Sequence, residues 1–206
     1  MGKFRLTVIV IAATLLIGLI GVNLWRAFPP ARGAVSHETA ATGVADIGGP
    51  FALIDQDGAP VTEAMLKGKW SAVFFGYTFC PDVCPLTLQN LARTKALLGN
   101  KAKDLQIVFI TVDPARDTPA ALKAYLASNG FPKNVIGLTG APEAIEKAEK
   151  AYRVSAVKTG SGDTYAYSHT SVVYLMNPEG QFAVPLTAGM TAQQNADQIR
   201  QAMQEG

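Results

Sequence analysis

The chain holds two cysteines, Cys80 and Cys84, both within FFGYTFCPDVCPLTLQNL at residues 74–91. Three residues separate them. At that spacing the second cysteine can open a helical turn while the first folds back, so that both sulfurs face one point. A helix N-terminus favours thiolate over thiol, and the pair is therefore expected to be reactive and exposed. A purely stabilising disulfide fits poorly, because closing so short a loop removes little entropy from the unfolded chain. Burial as two small hydrophobes fits no better. CPDVCP reads as a polar, proline-bounded loop outside any strand.

A third partner decides between the thiolate chemistries, and the chain offers two histidines. His37 stands in a stretch of small and polar residues and reads as solvated. His169 lies in YAYSHTSVVYLM, directly before an apolar run of strand length. Two thiolates and one imidazole make a three-ligand set suited to soft Cu(I), and usable by Cu(II) with an added oxygen or water ligand. The same set occurs with catalytic zinc. The residues alone thus leave a copper site, a zinc site and a redox-active thiol pair open. TVDPARDTP, at residues 111–119, adds acidic groups. A turn followed by a helix cap accounts for Asp117, Thr118 and Pro119. Asp113, at the strand terminus, is less explained and is a candidate to flank the thiolates or to touch a partner.

The elements that must position these residues alternate along the chain. PFALIDQDGAPVT predicts a short hairpin around Asp57-Gly58, followed by a short helix at 63–66. WSAVFFGY (70–77) and LQIVFITV (105–112) are continuous apolar runs, as expected of strands covered on both faces. PLTLQNLARTKALLG predicts a helix with Pro85 in its first turn and Gly99 at its end. TPAALKAYLASNG predicts another, capped by Thr118 or Asp117 and stopped at Gly130. APEAIEKAEKAYRV predicts a third. TSVVYLM and QFAVPL, joined by NPEG, predict an antiparallel hairpin, and TAQQNADQIRQAM a closing helix. The expected order is β-β-α-β-α-α-β-β-α, an α/β fold with a mixed sheet and helices on both faces. The cysteines fall at the carboxyl end of a buried strand, where open sheets carry their reactive groups.

Composition narrows the function further. Of 206 residues, 49 % are hydrophobic, and the net charge of +2 comes without a basic run, so no nucleic-acid partner is expected. Leu6 to Leu24 is a charge-free apolar run of the length a bilayer requires of a helix. Lys3 and Arg5 precede it, and Trp25 and Arg26 follow. A cleaved signal peptide would have a shorter apolar region and a small-x-small site, where this chain has WRAFPP. Residues 1–26 are therefore expected to form one N-terminal transmembrane helix, with the amino terminus inside. Residues 27–46 read as a flexible tether, and residues 47–206 as a single domain.

Together, FGYTFCPDVCP, VDPARDTP and the single histidine of YSHTSVVYLMNPEG closely resemble the Sco/SenC family of membrane-anchored copper proteins. The likeness covers about Gly48 to Met203, and the three motifs in this order are specific where each alone is weak. The resemblance implies a thioredoxin-like fold, copper as Cu(I) or Cu(II), and Cys80, Cys84 and His169 as its ligands. It implies a metallochaperone that assembles the dinuclear copper site of cytochrome c oxidase, with the copper-site subunit as partner. The alternative it carries is a thiol–disulfide oxidoreductase that keeps the cysteines of that site reduced, with Cys80 and Cys84 catalytic. An upstream copper donor and a thiol reductase are implied as further partners. The short N-terminus lacks an Arg- and Ser-rich presequence, which favours a bacterial inner membrane with the domain in the periplasm. A peroxidase is disfavoured, because Thr78 lies only two residues before Cys80 and no proline precedes it.

Overall fold

The computed structural model describes residues 46–205, together with Gly2. The expected membrane helix, His37 and nearly all of the tether lie outside the described residues. Among the described residues, no helix is long and apolar enough to cross a membrane.

The chain opens with the predicted hairpin, β1 (Ala52–Asp55) and β2 (Pro60–Thr62). Its turn is tied by the Asp55 carboxylate, which accepts from the Asp57 and Ala59 amides. A short 3-10 turn, Glu63–Leu66, leads into β3 (Trp70–Gly76), buried at every residue. Helix α1 (Val83–Leu98) follows and ends at Gly99, whose φ of 58° lies in the region glycine tolerates best. It begins two residues before the expected Pro85. A second 3-10 segment, Gly99–Asp104, precedes β4 (Leu105–Thr111). Helix α2 (Pro119–Leu126) is capped by Thr118, whose hydroxyl accepts from the Ala121 amide at 3.3 Å. Asp117 is therefore not the cap.

Two features were not anticipated. The first is strand β5 (Ile136–Thr139), between α2 and α3 (Pro142–Ala151). Four residues between two helices show no alternation from which a strand could be read. The second is a small hairpin, β6 (Ala156–Thr159) with β7 (Ala166–His169), pairing Ala156↔His169 through Thr159↔Ala166. It forms a two-stranded sheet of its own. Strands β8 (Val173–Met176) and β9 (Phe182–Leu186) then form the expected antiparallel hairpin, and α4 (Ala192–Glu205) closes the chain.

The main sheet has seven strands in the order β2-β1-β5-β4-β3-β8-β9. Strands β3, β4 and β5 run parallel, and the outer pairings are antiparallel, so the sheet is mixed. Helices cover both faces. On one face Phe109 of β4 meets Tyr125 of α2 at 5.9 Å, and the Leu122 and Leu126 side chains close over Gly137. On the other, Phe75 of β3 packs against Tyr152, just past α3, at 5.3 Å. Burial on both sides explains why β3 and β4 read as unbroken apolar runs.

Candidate metal centre

Topology brings three separate segments to one edge of the sheet. Strands β3 and β4 are parallel and in register from Trp70↔Leu105 to Gly76↔Thr111, so both end at the same side. The cysteine segment continues β3 there, and the DPARDTP segment continues β4. Strand β8 runs antiparallel to β3 with Phe74 opposite Val173, so its beginning lies at that same edge. His169 ends β7 just upstream. The ligand atoms of Cys80, Cys84 and His169 all lie within 4.8 Å of one another.

The sulfurs converge as the spacing predicts. The Cys84 amide, in the first turn of α1, donates to Cys80 Sγ at 3.4 Å. Cys80 thereby takes the place of the absent side-chain cap at the helix start, since Asp82 makes no such bond. Cys84 Sγ lies 3.3 Å from His169 Nε2, and His169 Nδ1 lies 3.0 Å from the Thr170 carbonyl oxygen. A carbonyl can only accept, so Nδ1 carries the hydrogen, and in the neutral ring Nε2 presents a lone pair to the sulfurs. Phe74 and Tyr77 wall the imidazole edge-on at 6.2 and 5.8 Å. These are soft donors with the free nitrogen aimed inward, and they fit a thiophilic metal such as copper.

Exposure corrects one expectation. Both thiols are buried, Cys80 at 8 % and Cys84 at 0 % relative exposure. The loop is polar, but Cys84 opens α1 facing the core, packed over Gly76. A Cβ at Gly76 would stand 2.8 Å from both Cys84 Sγ and Phe109 Cε2. The two sulfurs also differ electrostatically. Cys80 is held far below the usual thiol range, to about 4, chiefly by its hydrogen bond with the Cys84 side chain and against the opposing effect of burial. That same hydrogen bond, and burial after it, push Cys84 upward. The outer sulfur is thus the thiolate, and the inner one keeps its proton.

The acidic residues divide differently from the sequence reading. Asp113 is buried but does not join the thiol–imidazole cluster. Its carboxylate accepts from Arg116 Nε at 2.5 Å and from the Tyr165 hydroxyl at 2.8 Å. Asp117 instead holds the cysteine segment. It accepts from the Thr78 amide at 3.0 Å, the Thr78 hydroxyl at 2.5 Å and the Thr111 hydroxyl at 2.6 Å. Burial raises its pKa, and these three bonds work against that rise. Sequence reasoning took Asp117 for a helix cap. Its only available signal was the redundancy of two capping residues, Asp117 and Thr118, before one helix. Gly76 was also missed, and a glycine at the end of an otherwise bulky apolar strand was the sign of it.

Residues 39–204 match the family described as SCO1/SenC. The chain belongs to the SCO1/SenC family. Among SCO1/SenC relatives, it is 45 % identical over 147 residues to the mitochondrial SCO1 homolog 1 of Arabidopsis thaliana, covering 70 % of this chain and 43 % of that protein. It is 38 % identical over 169 residues to SenC of Rhodobacter capsulatus, covering 82 % and 76 %. The chain spans about half the length of the plant and yeast mitochondrial relatives that it matches. Among solved structures, copper-bound ScoI of Bradyrhizobium japonicum is 42 % identical, with a TM-score of 0.69 over 76 % of this chain and 99 % of that one. BsSco, described as having a disulfide switch and as a member of the Sco family of cytochrome c oxidase assembly proteins, is 28 % identical. Its TM-score is 0.62 over 77 % of this chain and 93 % of its own. With about three quarters of the chain covered in both cases, the thioredoxin-like Sco fold is shared.

Proposed function

We propose that this chain is a membrane-anchored copper metallochaperone that binds copper through Cys80, Cys84 and His169 and assembles the dinuclear copper site of cytochrome c oxidase. The observation that carries the reading is the convergence of the Cys80, Cys84 and His169 ligand atoms within 4.8 Å of one another. With Nδ1–H donated to the Thr170 carbonyl, Nε2 is free to complete a set begun by two sulfurs. Copper bound to ScoI of Bradyrhizobium japonicum and the assembly role printed for the family of BsSco support the same reading. Copper here is cargo. Loading requires both sulfurs as thiolates, so the Cys84 proton must leave as the metal arrives, and an oxidised Cys80–Cys84 pair holds none.

The Leu6–Leu24 run supports residues 1–26 as the anchor and 27–46 as the tether, with the copper domain on the periplasmic side of a bacterial inner membrane. The partner is then the copper-site subunit of the oxidase, with an upstream copper donor and a thiol reductase serving the same site. Asp113 contributes at one remove, through Arg116 and Tyr165.

A second reading rests on the unequal sulfurs. As a thiol–disulfide oxidoreductase, the Cys80 thiolate attacks a disulfide of the client and expels one client thiolate. Cys84, once deprotonated, then attacks Cys80 of the mixed disulfide and releases the second client thiolate. The client gains two electrons and the chain ends as a Cys80–Cys84 disulfide. Titration of the reduced chain with Cu(I) under a competing chelator tests the first reading. One tightly held ion per chain, weakened in His169→Ala, supports it; equal affinity in both proteins overturns the three-ligand site. A Cys84→Ser chain that traps a mixed disulfide with a client through Cys80 supports the second.

A further inference from the structure

Arg116 touches both of the segments that carry the cluster. Its guanidinium carbon lies 4.4 Å from the ring centroid of Phe79, the residue before Cys80, and 3.6 Å from that of Tyr165, on the arm that ends in His169. Its Nε donates to Asp113, and the Tyr165 hydroxyl donates to the other oxygen of the same carboxylate. Asp113 lies two residues past the end of β4, is wholly buried and donates its amide to the Thr111 hydroxyl at 2.9 Å, so it is a fixed post beside the main sheet. The arm itself is otherwise lightly held. Three of the four β6 residues are exposed, and the hairpin pairs only with itself. Its other attachments include the ring contacts of His169 with Phe74 and Tyr77 and of Tyr167 with Tyr77, and the Cys84–His169 contact. Ala156 and Tyr167 also pack against the core, Arg116 Nη1 donates to the Asp163 carbonyl at 3.5 Å, and two hydrogen bonds join Ser155 and Thr170 at the base. Lys158 places a second cation 3.5 Å from the Tyr165 ring centroid.

We infer that Asp113, Arg116 and Tyr165 form a latch that fixes the β6–β7 arm against the cysteine segment, and that Arg116 is a positioning residue for His169. The inference rests on the proposed copper site for its functional consequence, but the latch itself concerns the metal-free chain. Removal of Arg116 strips the cation from the Tyr165 ring and leaves the Asp113 carboxylate buried without its charge partner. The arm then opens locally, while the sheet that carries the cysteines does not. The imidazole is lost from the cluster for much of the time, and the two cysteines remain.

Two measurements on the full chain in detergent test this. In the metal-free protein, amide hydrogen exchange across residues 156–169 should rise about tenfold in Arg116→Ala, and less in Tyr165→Phe, with β3 and β4 amides unchanged. Exchange in the arm equal to wild type in both variants overturns the latch. Tyr165→Phe removes only one hydroxyl, so it keeps the test decisive if Arg116→Ala does not fold. Cu(I) affinity is then measured for wild type, Arg116→Ala, His169→Ala and the double variant. The expected result is a loss of about tenfold from Arg116→Ala in the wild-type background and none in the His169→Ala background. The same loss in both backgrounds overturns positioning through His169. A wild-type chain with no copper affinity defeats the proposed function instead, and the exchange result still decides the latch.

Discussion

The cluster is assembled from two regions built in opposite ways. Cys80 and Cys84 continue β3, a strand buried at all seven residues, and Cys84 is itself part of the core. His169 ends a two-stranded arm outside the main sheet, most of whose first strand faces solvent. The thiols are thus preorganised by the same burial that stabilises the fold. The imidazole is supplied by an element whose position rests on a few local contacts. For the proposed carrier role, this division keeps two of the proposed ligands fixed and lets the third be withdrawn at little cost to the fold.

Perturbing the cysteine side should damage fold and site together. In Gly76→Ala, the new Cβ has no space against Cys84 Sγ and the Phe109 ring, so stability should fall by about 2–3 kcal/mol. Copper affinity should fall with it, both read by chemical denaturation and metal competition. Unchanged stability would mean that the Cys84 packing is not as tight as the comparison requires. Within the pair, alkylation by iodoacetamide at pH 6 should modify Cys80 and spare Cys84, because only the outer sulfur is a thiolate there. Mass-mapped modification of Cys84 first would reverse the assignment.

A smaller effect lies in the scaffold behind the arm, where Glu149 lines a cavity with Asp113, Ala156 and Tyr167. Glu149 of α3 is pushed up to about 7, first by burial and then by Glu146. Its folded pKa lies above its unfolded one, so the folded state binds the extra proton. The resulting penalty is absent at low pH, grows from about pH 4.5 to 7, and is complete above that. Glu149→Gln should therefore stabilise the chain at pH 8, by less than about 1 kcal/mol given its partial exposure, and not at pH 4. Copper binding should be unaffected. A gain that is the same at both pH values would remove burial of the charge as its cause.

The asymmetry also marks what the sequence could reveal. Strands β3 and β4 were legible because burial on both faces forces an unbroken apolar run, and the helices because their caps and leucine spacing are local. The cysteine pair was legible because its spacing and its place after a strand are local as well. Strand β5 and the arm were not. The Ile136–Thr139 run becomes a strand only by pairing with β4 and β1, and β6 has no apolar face to show. His169 could be named as a candidate ligand, but its place opposite the cysteines followed only from the family resemblance, because the arm that carries it leaves no local signal. Asp117 looked like cap chemistry and Arg116 drew no reading at all, because their partners, Thr78, Thr111, Phe79 and Tyr165, lie on other segments.

The central claim is that His169 completes a copper site begun by the two thiolates. X-ray absorption at the copper edge, on the reduced and copper-loaded full chain and on its His169→Ala variant, tests it most directly. The account predicts sulfur and nitrogen neighbours in the wild-type chain, and in the variant the same sulfur shell with the imidazole nitrogen gone. Identical spectra from the two proteins, or a wild-type copper shell without nitrogen, would contradict it.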